Sequence, residues 1–370
     1  MPRISMKNIL QPSQILAFIF GYCPFWKSAG ENVYHRSVLG TILQVVNILL
    51  TLTTLSYIVG FYLPEAFGSR HECSSLKNCS QLIIHASHLA LLLWLTVDRL
   101  IFASATLRCL NLTHELNEEL GCLSPPKQRP ISFQLTIVWT VAYLIGLPFP
   151  VNNDFMEIAW YCSKFLTMYC ETLALEFVTV PSVALNTING LLETWQRTGN
   201  CNVNDLTRLQ SLYLKAAYVS EVVNDSFGFC WLVSLLAASI QIVLPFKTLF
   251  KVLDDLIVID HRIPSTADYV HYAYLFLVLA TSVLRYFQIY YTLDQPSSKR
   301  IKTVSILREL MNKHSENELS TKMNDFIFQV TLRSMEFSSG GFFGINLQRF
   351  AEVVGMWLTL LVIMIQLTEA

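Results

Sequence analysis

Charge is what this chain has least of. Of its 370 residues, 14% are Asp, Glu, Lys or Arg and 53% are hydrophobic, with a mean hydropathy of +0.43. That balance excludes a pair of ordinary soluble domains and points to a membrane protein. The formal net charge of −1 provides no surface for nucleic acid and no bias toward an acidic partner. A secretory signal is missing as well: the apolar run from Ile15 to Phe20 is short, polar-flanked and followed by no small-residue cleavage site. The nine cysteines are scattered in neither a zinc pattern nor a disulfide framework. Glycine-rich phosphate loops are absent, and no cofactor is expected. His85 and His88 have helical i, i+3 spacing, but two ligands fall short of an intramembrane metal centre, and no metal is expected. No catalytic constellation stands out, so no enzyme is expected.

What the chain does have is long apolar runs. Seven read as spans: about 42–63, 82–97, 131–149, 158–180, 228–246, 270–291 and 350–367. The fourth is the least regular, because Lys164, Glu171 and Glu176 sit inside it. Arg285 lies near one end of the sixth, where its length lets it reach the headgroups. The expected fold is therefore an all-α membrane protein of seven transmembrane helices. Its orientation follows from lysine and arginine. The N-terminus and segments 98–130, 184–227 and 292–349 carry 19 of them, against 5 in segments 64–81, 150–157, 247–269 and 368–370. The excess puts the N-terminus in the cytosol and, after seven crossings, the C-terminus outside.

The division expected is a cytosolic or interfacial N-terminus (1–41), six transmembrane helices (42–291), a cytosolic helical region (292–349) and a last helix (350–370). The patch Gly21–Trp26 is expected at the membrane surface, as aromatics favour the interface. The outer loops are short, whereas the inner segments are long and keep a helical pattern. Leu206, Leu209, Tyr213 and Ala216 follow one face; so do Ile301, Val304, Leu307 and Met311, and then Met323, Ile327 and Val330. These amphipathic helices point to a cytosolic base packed against copies of itself, or else to helices lying on the membrane surface. Asn78-Cys79-Ser80 is a glycosylation sequon in the first outer loop, while those at Asn111 and Asn224 fall on the cytosolic side and should stay bare. Cys73 and Cys79 are close enough to pair in an oxidising space, and free thiols fit the spacing equally well.

Within the last span, Glu352, Thr359 and Gln366 recur every seven residues, with Gly355 and Ile363 filling the gaps between them. On a helix these lie on one face, each step of seven drifting by about 20°. A polar or small stripe on an apolar helix either packs against a neighbour or faces water. The outer halves of the other spans collect aromatic and hydrogen-bonding groups: His88, Trp94, Tyr143, Tyr161, Gln241 and Tyr274. With the deeper acid Glu171 they form a candidate small-molecule pocket, the alternative for several being the interfacial aromatic belt. Glu171 needs a partner or water, and Lys164, seven residues away and about 10 Å along the axis, is too far for a direct pair.

The last helix resembles the signature of the insect gustatory receptors: Thr-Tyr, five apolar residues, Gln-Phe. Here it reads Thr359-Leu360, Leu361 to Ile365, Gln366-Leu367, with Leu replacing both aromatics. Span number, inverted orientation, short outer loops and a cytosolic helical base are similar to that family over the whole chain. The resemblance implies a four-fold symmetric, ligand-gated cation channel in the plasma membrane of sensory neurons. It implies a homotetramer, or a heterotetramer with other gustatory receptors, embedded in membrane lipids and gated by a small-molecule tastant. Gln366 and Leu367 would form the gate, with Ile363 and Thr359 on the pore wall and Glu352 near the cytosolic mouth. An uncharged aromatic pocket leans toward bitter or amphipathic tastants. A G-protein-coupled receptor is the alternative, but Asp98-Arg99 ends the second span rather than the third, and no Asn-Pro-x-x-Tyr closes the last. A small-molecule transporter should show repeated, broken halves, and no internal repeat is found.

Overall fold

The computed structural model describes residues 24–27, 33–57, 60, 90–91, 93–94, 97–98, 100–123, 155–258, 266–313 and 317–369, the side chains of some helical residues excepted. Seven helices are described: α1 (Val38–Tyr57), α2 (Ala103–Leu123), α3 (Phe155–Thr198), α4 (Val203–Val258), α5 (Thr266–Lys313), α6 (Asn317–Leu332) and α7 (Leu347–Glu369). Two small hairpins accompany them: β1 (Phe25–Lys27) with β2 (Tyr34–Arg36), and β3 (Ser338–Ser339) with β4 (Phe343–Gly344). The first, fourth, fifth, sixth and seventh expected spans lie on α1, α3, α4, α5 and α7. The third lies outside the described residues, as does most of the second.

Helices α3, α4 and α5 run 44, 56 and 48 residues, about two to three times what a bilayer needs. Each carries one expected span and continues well beyond it as a single rod. Pro181 and Pro296 sit inside α3 and α5 without ending them, since packed neighbours hold the helices where one backbone bond is missing. Among the described residues, Glu171–Thr198 and Val203–Ile240 are long and apolar enough to cross a membrane, and both overlap the expected spans. The α3–α4 turn has local causes. Gly199, at φ 74°, donates its N–H to the Trp195 carbonyl at 2.8 Å and stops α3. Asn202 then accepts the Asn204 N–H at 3.1 Å and starts α4.

The amphipathic faces read from sequence are consumed inside the chain. Leu206, Leu209, Tyr213 and Ala216 of α4 are buried, as are Met323, Ile327 and Val330 of α6. Tyr213 meets Phe326 edge-on at 5.8 Å and donates its hydroxyl to the Arg333 carbonyl at 3.0 Å, closing the end of α6. Burying a side chain such as Phe326 contributes roughly 1.5–3 kcal/mol. These faces therefore neither lie on a membrane nor await a second copy. Ile301 departs from the expected face: it is 63% exposed, while Leu307 and Leu310 are buried. Successive three-residue steps rotate by about 60° each, which carries Ile301 away from the face that Leu307 occupies.

Of the N-terminal patch, Pro24 to Trp26 fall among the described residues, and Phe25 is buried in the main core. It is held there by the β1–β2 pairing and by the Ser37 N–H donated to the Pro24 carbonyl at 2.7 Å. The Tyr34 N–H donates to Asn111 Oδ1 at 2.8 Å, which spends the Asn111 side chain on packing β2 to α2.

Candidate functional site

Helix α7 and its seat. Asn346 accepts the Arg349 N–H at 2.9 Å and begins α7. Just before it, the β3–β4 hairpin turns through Gly340 and Gly341, at φ 59° and 80°, where a side chain would be strained. The hairpin is clasped to α4. Asn224 Oδ1 accepts the Ser338 N–H at 2.7 Å, and Asn224 Nδ2 donates to Ser338 Oγ at 3.2 Å. Gly228 allows that approach, since a Cβ there would stand 3.1 Å from the Ser338 carbonyl oxygen. The clasp fixes where α7 starts and occupies the Asn224 sequon.

From that start, α7 lays one seam on α4 and α5. Trp357 and Leu361 are buried, and Phe350, Val353 and Val354 pack on the core. Phe350 meets Tyr290 at 5.4 Å and Phe287 at 5.5 Å; Trp357 meets Tyr286 edge-on at 6.3 Å and donates its indole N–H to Ser239 Oγ at 3.0 Å. At 100° per residue, Glu352, Gly355, Thr359, Ile363 and Gln366 lie about 160–240° round from Trp357. All five are exposed. The polar stripe thus faces directly away from the bundle, so packing against another helix of the same chain does not account for it. Thr359 satisfies its hydroxyl on the Gly355 carbonyl at 2.9 Å, and Glu352 pairs with Arg349 one turn earlier. Leu367 lies on the last turn of α7, with its side chain outside the described residues.

The proposed pocket residues are only partly visible. Glu171, on α3, is 4% exposed, and Arg285 of α5 donates to its Oε2. Arg285 does not reach for the headgroups as expected: its side chain is 14% exposed, because the α3–α5 packing encloses it. Trp94 packs on Phe229 of α4 with centroids 5.2 Å apart, and its buried indole N–H has no hydrogen-bond partner among the described residues. Tyr161, Gln241 and Tyr274 lie on α3, α4 and α5 with side chains outside the described residues. His88, Tyr143, Asn78, Cys73 and Cys79 lie outside the described residues altogether. Sequence reasoning did not find the Cys230 thiol donating to the buried Asp98 Oδ2 at 2.8 Å, nor the Asn224 clasp.

With this geometry in view, the comparisons with known proteins are decisive on family. The model of the 7tm chemosensory receptor family matches residues 10–369. The chain belongs to that family. Its fold is similar to that of the insect olfactory receptor OR5 from Machilis hrabei. The TM-score is 0.62 for one structure of that protein and 0.61 for another in complex with eugenol. In both comparisons, 99% of each chain is covered at 14% sequence identity. No curated protein matches the sequence. This chemosensory receptor is thus a multi-pass membrane protein with the seven-helix fold of the insect receptors.

Proposed function

We propose that this chemosensory receptor is a taste receptor acting as a ligand-gated cation channel, with α7 on the pore. The observation that carries the proposal is the α7 face itself: a stripe of Glu352, Gly355, Thr359, Ile363 and Gln366, set opposite the seam that seats the helix. A membrane helix turns such a face toward water or toward other subunits, because lipid disfavours it. Four copies around an axis would place four stripes on one central path, with Gln366 and Leu367 as its outer constriction. Arg349 beside Glu352 offsets much of the acid's charge at the inner mouth, so cation preference there depends on how far that pair separates.

The ligand is read as a small, uncharged, bitter or amphipathic tastant, bound outward of Glu171 among Tyr161, Gln241 and Tyr274, with His88 and Tyr143 as further contacts. Trp94 drops out of that pocket, because it packs on Phe229, at the opposite end of the fifth span from Gln241. Asn78 carries a glycan, and the protein works in the plasma membrane of sensory neurons as a homotetramer or with related subunits. The resemblance of Thr359-x6-Gln366 to the gustatory signature is what favours taste over smell. Labelling of a C-terminal tag on intact cells tests the orientation, and ion-substitution currents test the channel. An external tag with a ligand-evoked current whose reversal potential follows cations is expected. A tag that stains only after permeabilisation, in protein at the cell surface, would overturn the orientation and the pore with it.

A further inference from the structure

Two opposite charges meet in the span region, where Thr172, Glu176, Ser282 and Gln288 are buried polar neighbours along the same two helices. Arg285 of α5 donates to Glu171 Oε2 of α3, and both side chains are largely enclosed. The other carboxylate oxygen, Oε1, is buried with no hydrogen-bond partner among the described residues. Desolvating two charges offsets most of their attraction, and an unmatched oxygen adds to the cost. Stability alone is thus a poor explanation for the pair.

Its position offers a better one. The α3–α5 contact is the most extensive helix pairing among the described elements. Arg285 is followed by Tyr286, whose hydroxyl donates to the Ser234 carbonyl of α4 at 3.3 Å and whose ring meets Trp357 of α7 at 6.3 Å. Glu171 therefore stands one residue removed from the contact that seats α7. We propose that the Glu171–Arg285 pair is the tie through which a displacement of α3 reaches α7, with Tyr286 and Trp357 as the next links. A buried ion pair suits this use because it has two distinct states: met, or separated with each charge seeking another partner. The consequence for gating rests on the channel reading above; the mechanical link between the helices does not.

The test reads α7 chemically. A cysteine placed at Gly355, where an added side chain meets nothing within 4 Å, reports the exposed face. A cysteine at Gly121, equally unobstructed on α2, is the control. Glu171→Gln/Arg285→Met removes both charges together, which avoids leaving one buried alone. Modification by a small thiol reagent is followed in purified protein, against the parent lacking the added cysteine. The expected result is at least a threefold change in rate at position 355 and none at 121, with the parental rate restored by the reversed pair Glu171→Arg/Arg285→Glu. Unchanged rates at 355, or a reversed pair that behaves like the neutral one, would overturn the proposal. A neutral double variant that fails to assemble would make the pair purely structural and overturn it too. A changed rate in a protein that carries no current would refute the channel and leave the tie standing.

Discussion

Helix α7 has two faces with opposite jobs, and they should fail differently. Trp357 is 5% exposed, wedged edge-on against Tyr286 and Phe350, and bonded to Ser239. Trp357→Ala empties that seat. Truncations of this kind cost about 3–5 kcal/mol, and the lower end applies here, because lipid rather than water surrounds the separated helix and only packing is lost. Trp357→Phe keeps most of the packing and loses one hydrogen bond, about 1 kcal/mol. Ser239 is left without a deficit, since it also donates to the Leu235 carbonyl at 3.2 Å. Thr359→Ala, across the helix, removes an exposed hydroxyl bonded to its own backbone and should stay within about 0.5 kcal/mol. Melting curves of detergent-purified protein should therefore rank Trp357→Ala well below Trp357→Phe, with Thr359→Ala at the parental value. Currents should rank the other way for Thr359→Ala, a stable protein with altered conduction. Equal melting shifts for Trp357→Ala and Thr359→Ala would refute the assignment of seam and free face.

Gln366→Ala should change basal or ligand-evoked current with surface delivery unaltered, as checked by surface biotinylation; unchanged current would remove Gln366 from the gate. Asn78→Gln should abolish the gel shift produced by glycosidase, while Asn111→Gln and Asn224→Gln leave it intact, because both asparagines are spent on internal hydrogen bonds. Lys299, in the part of α5 beyond the sixth expected span, donates to Ser182 Oγ at 2.5 Å, and burial pushes its pKa down to about 8. Its folded pKa lies below its unfolded one, so the unfolded chain binds the extra proton, and stability rises as pH climbs from about 8 toward the ordinary lysine value. Lys299→Met should flatten that rise in melting temperature; a rise of the same size in the variant would assign it to another group.

Periodicity made one kind of structure legible and left another hidden. The face of Leu206, Leu209, Tyr213 and Ala216 was readable because helix geometry forces residues at that spacing together. The α7 stripe was readable for the same reason. What covers a face is a different question. The pattern gave no sign that the base helices cover one another within one chain, and three-residue steps drifted far enough to misplace Ile301. Polar pairing was the least visible. Arg285 and Glu171 are 114 residues apart, as are Asn224 and Ser338, and Cys230 and Asp98 are 132 apart. No local signal links such residues; only the packing of long rods brings them together. A buried acid in a span announces that it needs a partner, but the nearest base in sequence, Lys164, is out of reach on its own helix, and the partner comes from another one.

Cysteine substitution along α7 tests the central claim most directly. Thr359→Cys and Gln366→Cys place thiols on the stripe, and Leu358→Cys places one on the exposed apolar flank. With cation current recorded from protein in planar bilayers, a charged, water-soluble thiol reagent should cut the current through the first two and spare the third. Block at all three positions, or at none while current flows, would contradict a pore lined by this face.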